Sequence, residues 1–174
     1  MYLLKKSLQH YKMKLILSAL ALLFFLHSSG QVDTSAPYFK EGRRPAFSLL
    51  DKDSIEFDQD RLVTGKRTII MLFNPDCDHC QDQLKLMLSL PEIATCNLVM
   101  SSIEKVQKNK TFYEKYQLSN YPFIYLGKDY RYLFGKYFRP NTIPVLAFYD
   151  ARGAFIDIRY GNVNKKNLLK ILGN

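Results

Sequence analysis

The chain has 174 residues, of which 47% are hydrophobic and 14% aromatic. This length allows one domain with a substantial core, and the composition is that of a globular protein rather than a disordered one. The formal net charge is +9, but four lysines and no acid lie within residues 1–30, so the remainder has 21 basic and 16 acidic residues. No basic run is dense enough to predict nucleic-acid binding.

The first 30 residues have the pattern of a secretory signal peptide. A basic region that ends at Lys14 is followed by twelve mainly apolar residues, 15–26, and then by small and polar residues up to Gly30. Twelve apolar residues are too few to cross a bilayer comfortably as a straight helix. We therefore predict a signal peptide at residues 1–30, with an uncleaved membrane anchor as the alternative. In either case we expect the domain in the periplasm or another extracytoplasmic compartment, with membrane contact only if this segment is retained.

The middle of the chain begins with strand patterns. Residues 31–41 are polar and are interpreted as a linker, so that the domain spans residues 42–174. Two short segments at 46–50 and 54–57 alternate in polarity around a turn and predict a β-hairpin. Residues 68–73 are an apolar strand pattern that runs into a turn with Cys77 and Cys80. A helix pattern follows from Gln81 and ends before Pro91.

The rest of the chain alternates strands with helices. Strand patterns occupy residues 97–103, 123–126, 145–149 and 154–160, and helix patterns occupy residues 104–116, 129–138 and 164–172. This order, with a closing hairpin around residues 150–153, predicts an α/β fold with a mixed sheet covered by helices on both faces. The lysine-rich run 105–110 is interpreted as a solvated helix face.

Cys77 and Cys80 are the candidate reactive residues. The order of strand, Cys-x-x-Cys and helix places Cys77 at a helix N-terminus, where free N–H groups and the helix dipole stabilise a thiolate. Cys77 is then the exposed nucleophile, and Cys80, one turn further in, can attack a mixed disulfide formed by Cys77. A protonated His79 would add positive charge beside the thiolate, whereas Asp76 and Asp78 would oppose it.

The motif is also compatible with a structural disulfide or with half of a zinc site. Zinc requires four ligands, usually from a second such motif or a histidine pair. The sequence contains neither, because its other histidines, His10 and His27, lie in the N-terminal segment. We therefore predict redox chemistry without a metal or other cofactor. Cys96 is interpreted as a buried, inert thiol, although a pairing or regulatory role stays open for an odd cysteine in an exported chain.

The Cys77-x-x-Cys80 motif, the Ile143-Pro144 pair before a later strand and the closing hairpin resemble a thioredoxin fold. Together with the leading residues 45–49 and the extra helix before the proline, they make the chain similar to the TlpA/ResA-like envelope thioredoxins, and more distantly to peroxiredoxin-type redoxins. The resemblance implies a thioredoxin-like fold with an N-terminal hairpin extension, an attacking Cys77 and a resolving Cys80. It also implies that Pro144 is a cis-proline beside the active site and that the backbone of Ile143 pairs with a substrate peptide.

The chain departs from the family pattern near the cysteines. Asp76 replaces the tryptophan common before the first cysteine, Met71 replaces a buried acid of many thioredoxins, and Gln83 replaces a glutamate of some envelope reductases. Because a buried carboxylate would relay the proton of Cys80, the resemblance implies slower reductase turnover here. A histidine before the second cysteine, here His79, occurs in the more oxidising members, so we expect a reduction potential of roughly −240 to −140 mV.

The sequence therefore predicts an exported thiol–disulfide oxidoreductase. Its expected partners are protein thiols or disulfides and an envelope electron donor or acceptor, and no nucleic acid. One rival is a redox-quiet binding or scaffold domain with a closed disulfide that holds a partner along Ile143-Pro144. Another is a peroxidase-like redoxin with Cys77 as the peroxide nucleophile, which is weakened because Asn74 replaces the threonine usual three residues before that nucleophile.

Overall fold

A seven-stranded mixed sheet forms the centre of the structure, with the strand order β2-β1-β5-β4-β3-β6-β7. The computed structural model describes residues 34–173, and the predicted signal peptide or anchor at residues 1–30 lies outside them. Within the described range, no helix combines the length and the apolarity needed to cross a membrane.

The strands are β1 (Ser48–Leu50), β2 (Glu56–Asp58), β3 (Thr68–Leu72), β4 (Asn97–Ser102), β5 (Ile124–Lys128), β6 (Val145–Tyr149) and β7 (Phe155–Tyr160). The helices are α1 (Pro37–Glu41), α2 (Asp78–Leu88), α3 (Val106–Lys115), α4 (Leu133–Phe138) and α5 (Lys165–Gly173). Short 3-10 helices lie at Gln59–Arg61, Pro91–Thr95 and Leu118–Asn120. The predicted α/β class and mixed sheet are confirmed.

Strand β3 lies between β4, to which it is parallel, and β6, to which it is antiparallel. All five of its residues are buried, as expected for a strand covered on both faces. Ile69 and Met71 pack into the core on the side of α2, α3 and α5. Ile70 and Leu72 alternate to the other side, where α1 and α4 complete a second core. The two helical layers therefore hold β3 from both sides.

The predicted N-terminal hairpin is present as β1 and β2, which pair antiparallel. It joins the main sheet through the pairing of Leu50 with Lys128 of β5. Gly127 makes this approach possible, because a Cβ atom there would lie 2.7 Å from Cβ of Leu49 and 2.8 Å from the ring of Phe57. These distances are shorter than ordinary contacts, so the hairpin docks only against a residue without a side chain.

The linker prediction for residues 31–41 is wrong for its described part. Residues 37–41 form α1, and the ring of Tyr38 is fully buried. Its centroid lies 6.1 Å from the ring of Phe138 and 5.5 Å from that of Phe155. The polar composition of this segment concealed the burial, since a single aromatic side chain is enough to anchor a short helix to the core.

Helix α4 begins at Leu133, four residues later than the predicted start at residue 129. Asp129 is buried, and its carboxylate accepts the backbone N–H groups of Leu133 at 2.9 Å and Phe134 at 2.8 Å. It therefore satisfies the first free N–H groups of the helix from outside it. Tyr132, just before the helix, has a left-handed backbone with φ of 54°, which ends the preceding turn.

Candidate active site

Cys77 is the N-cap residue of α2. The helix begins at Asp78, three residues earlier than predicted. The carbonyl of Cys77 accepts the N–H of Gln81 at 3.0 Å, and its Sγ atom accepts the N–H of Cys80 at 3.4 Å. A serine or aspartate cap makes the same kind of contact. Because the sulfur provides this cap, the helix includes the residues between the cysteines, and Sγ lies at its positive end.

The two motif cysteines differ in exposure. Cys77 is half-buried and Cys80 is fully buried, and both are free thiols. Burial, followed by the hydrogen bond with Cys77, raises the pKa of Cys80 from its ordinary value of 9.0 to about 12. Cys80 is therefore a protonated, sheltered thiol at neutral pH, and Cys77 is the sulfur of the motif that solvent can reach.

Positions 71 and 83, at which a buried carboxylate could take up the proton of Cys80, carry a methionine and a glutamine. Met71 and Gln83 are both buried. The Oε1 atom of Gln83 accepts the backbone N–H of Val163 at 2.6 Å, and its Nε2 atom has no partner among the described residues. Gln83 lies three residues after Cys80 on α2, where side chains share one face of the helix. An amide in this place orders the loop before α5 but does not take up a proton.

The three predicted tuning residues surround Cys77 in the sequence and are all exposed. Asp78 is the first residue of α2, where a negative charge stabilises the helix terminus. Asp76 forms an ion pair with Lys108 near the start of α3. His79 projects from the first turn of α2. Their effect on the thiolate stays a prediction.

The turn that carries Cys77, residues 74–77, is organised by Asn74. Its Oδ1 atom accepts the N–H of Asp76 at 2.9 Å, and its backbone carbonyl accepts the N–H of Cys77 at 3.0 Å. Its Nδ2 atom donates to Glu104 at 2.9 Å. Lys108 lies 3.3 Å from the same carboxylate group and also reaches Asp76. The turn is therefore connected to the segment between β4 and α3 by the hydrogen bond to Glu104, and to the first turn of α3 by the ion pair with Lys108.

No sequence motif marks Glu104 or Lys108 as part of this site. The interpretation of residues 105–110 as a solvated face is wrong for Asn109, which is buried, whereas Lys108 is partly exposed and pairs with Asp76 and Glu104. No local signal could have identified the contact, since its partners lie in different elements and their approach depends on how β4 packs beside β3.

The same turn is supported at a second point through Gln81. The Nε2 atom of Gln81 donates to the carbonyl of Pro75 at 2.8 Å. Its Oε1 atom accepts from the hydroxyl of Tyr116 at 2.8 Å and from Lys115 at 3.4 Å. Both ends of α3 therefore contribute side chains that hold the backbone around the cysteines.

Pro144 lies at the same end of the sheet as the Cys77 turn. The first residue of β6, Val145, pairs with Leu72, the last residue of β3. The segment before β6 and the turn after β3 therefore lie at the same end of the sheet. The Ile143-Pro144 peptide bond is cis, as the resemblance implied. Pro144 is buried and Ile143 half-buried. The structure brings the Cys-x-x-Cys motif and this pair to one end of the sheet, and the role of the pair in substrate binding stays a prediction.

Cys96 lies apart from this site, just before β4. It is buried as predicted, and burial raises the pKa of its thiol. Its Sγ atom lies 3.9 Å from both Oγ1 of Thr95 and the carbonyl oxygen of Glu92. Among residues 34–173, no group of three or more histidine, cysteine or acidic side chains is arranged to hold a metal ion.

Comparison with known proteins identifies the architecture. No protein-family model and no curated protein sequence matches this chain. A secreted Mycobacterium tuberculosis disulfide oxidoreductase homologous to E. coli DsbE matches with a TM-score of 0.58 and 19% identity, over 73% of this chain and 94% of that one.

Two further solved structures match at lower identity. The exposed lipoprotein thioredoxin Etrx1 of Streptococcus pneumoniae gives a TM-score of 0.57 and 16% identity, over 74% and 98% of the two chains. StoA of Bacillus subtilis gives 0.53 and 15%, over 75% and 98%. With the sheet order, the Cys-x-x-Cys helix cap and the cis-proline, these similarities show that the chain has a thioredoxin-like fold.

Proposed function

We propose that this chain is a thiol–disulfide oxidoreductase of the TlpA/ResA-like type, which exchanges disulfides with proteins outside the cytoplasm. The observation that carries this proposal is the placement of an accessible thiol next to a buried one in the Cys-x-x-Cys motif. Cys77 is half-exposed at the N-cap of α2, and Cys80 is buried in the first turn, with its nitrogen 3.4 Å from Sγ of Cys77. An accessible sulfur next to a sheltered second thiol is the arrangement that two-step disulfide exchange requires.

In the reducing direction, the thiolate of Cys77 attacks one sulfur of a substrate disulfide. The substrate S–S bond breaks, its second sulfur leaves as a thiolate and takes a proton, and a mixed disulfide to Cys77 forms. Cys80 then loses its proton and attacks Sγ of Cys77, which releases the remaining substrate thiol. The substrate gains two electrons and two protons, and the protein is left with a Cys77–Cys80 disulfide. The reverse sequence oxidises a substrate dithiol.

The surroundings of the cysteines support protein substrates. The cis Ile143-Pro144 segment leaves the sheet at the end that carries the Cys77 turn, and the half-buried Ile143 offers backbone groups to an extended peptide. Asp76 and His79 are exposed beside Cys77, where an approaching substrate would meet them.

An extracytoplasmic location is supported by the signal-peptide pattern of residues 1–30. The structural relatives agree with it, since the Mycobacterium tuberculosis protein is described as secreted and the Streptococcus pneumoniae protein as an exposed lipoprotein. In that compartment, an envelope electron donor or acceptor would return the cysteines to their working redox state.

The test is a redox equilibrium of the full chain in a series of reduced and oxidised glutathione. We expect one reversible two-electron transition with a midpoint between roughly −240 and −140 mV. Cys77→Ser should abolish this transition, and Cys96→Ser should preserve it. A disulfide that stays closed until well below about −300 mV would refute the enzyme and favour a scaffold domain with a structural bridge.

A further inference from the structure

We propose that Lys108 is a positioning residue for Cys77: it holds the turn of residues 74–77 through Asp76 and offsets the charge of that carboxylate beside the reactive sulfur. The inference rests on the proposed thiol–disulfide exchange and adds to it a residue from a different element. Asp76 directly precedes Cys77, and Lys108 lies in the first turn of α3.

The geometry makes Lys108 a bridge between two carboxylates. Its Nζ atom contacts Oδ2 of Asp76 and lies 3.3 Å from Oε2 of Glu104. The other oxygen of Glu104 accepts from Nδ2 of Asn74 at 2.9 Å, and the backbone N–H of Glu104 donates to the buried Ser102 at 3.1 Å. Glu104, which is itself hydrogen-bonded to Asn74 and Ser102, therefore holds the ammonium group of Lys108 beside Asp76.

The need for such a cation follows from the charges around Cys77. A carboxylate next to a thiol opposes its ionisation, and disulfide exchange requires the thiolate. On its own turn and helix, the titratable or charged side chains beside Cys77 are those of Asp76, Asp78, His79 and Cys80. From the α3 side, Glu104 and Lys108 contact the turn, and Lys115 and Tyr116 contact Gln81. The segment before β6 places the uncharged Ile143 and Pro144 at the same end of the sheet.

Lys108 pairs directly with Asp76, one of the two aspartates that flank Cys77 in the chain. The contact with Asp76 is the largest cause of the raised pKa of Lys108, ahead of the contact with Glu104. Because its pKa is raised, the ammonium group of Lys108 remains charged at neutral and mildly alkaline pH. Without it, Asp76 and Glu104 would both act on the turn as uncompensated negative charges.

The experiment compares Lys108→Met with Lys105→Met in the reduced full chain. Lys105 is an exposed lysine just before α3, so its replacement removes the same charge from the same segment without the ion pair. Alkylation of Cys77 by iodoacetamide is followed from pH 5 to 10, with the Cys77 peptide quantified by mass spectrometry. Thermal unfolding of each variant is recorded in parallel.

For Lys108→Met we expect the midpoint of the pH–rate profile to rise by about half to one pH unit, so that alkylation below the midpoint slows by about three- to tenfold. Lys105→Met should leave the profile within error of the unmodified chain. Lys108→Arg should preserve the profile because it keeps the charge. Asp76→Asn added to Lys108→Met should restore it, since the uncompensated carboxylate is then absent.

Two results would overturn the inference. One is an unshifted profile in Lys108→Met, and the other is a shift that Asp76→Asn does not reverse, because that would reflect a general loss of structure. The alkylation readout does not require disulfide exchange. If Lys108→Met shifts the alkylation profile but the unmodified chain shows no glutathione transition, the proposed function alone is refuted. If the unmodified chain shows the expected transition but Lys108→Met leaves the profile unshifted, the role of Lys108 alone is refuted.

Discussion

The second step of the proposed reaction, attack by Cys80, should depend steeply on pH. The pKa of Cys80 is raised to about 12, chiefly by burial. At pH 7 only about one molecule in 100,000 then carries Cys80 as a thiolate, against about one in 100 for a thiol with a pKa of 9.0. In the mixed disulfide the hydrogen bond with the Cys77 thiol is lost, but burial, the larger cause, remains.

The assay is a stopped-flow reaction of the reduced protein with one equivalent of 5,5′-dithiobis(2-nitrobenzoate). Attack by Cys77 releases the first thionitrobenzoate, and attack by Cys80 on the mixed disulfide releases the second, so absorbance at about 412 nm should rise in two phases. We expect the rate of the second phase to increase about tenfold per pH unit from pH 6 through pH 9. Cys80→Ser should show the first phase only.

A plateau of the second phase at or below about pH 9 would refute this reasoning. It would mean that Cys80 ionises as an ordinary exposed thiol, or that another group removes its proton. The same experiment therefore tests whether the uncharged side chains of Met71 and Gln83 leave the buried thiol without a base.

Three substitutions test other parts of the structure. Gln83→Glu should accelerate the second phase at neutral pH by at least about tenfold, because it adds a base three residues from the buried cysteine. Gly127→Ala should lower the free energy of unfolding by about 1–3 kcal/mol in urea titrations, since its methyl group would overlap Leu49 and Phe57. Tyr38→Ala should lower it by about 3–5 kcal/mol, the range for removing a fully buried aromatic ring.

Each of these has a result that would count against it. An unchanged second phase in Gln83→Glu, with the fold intact by circular dichroism, would show that proton removal does not limit the step. If Gly127→Ala costs less than about half a kcal/mol, the hairpin is able to move away from β5. An equally small effect of Tyr38→Ala would restore the linker interpretation of the segment before residue 42.

The order of the elements around the site could be predicted from the sequence because it depends on neighbours in the chain. The apolar run of β3, the spacing of Cys77 and Cys80, and the helix pattern after them are all local, so they indicated the strand, turn and helix. Helix α2 begins three residues before its predicted start, since the capping contact of the Cys77 sulfur has no counterpart in hydrophobic periodicity. Helix α4 begins later than predicted for a similar reason, because the carboxylate of Asp129 caps it from outside the helix.

The contacts that hold the site were decided by the tertiary structure alone. Lys108 meets Asp76 because β4 lies parallel beside β3 and delivers the start of α3 to the end at which the Cys77 turn leaves the sheet. Tyr38 is buried because the far face of the same sheet leaves room for its ring between α4 and β7. Local patterns record which residues favour a helix or a strand, but the energy of these contacts depends on distances between segments, which are set only when the sheet has assembled.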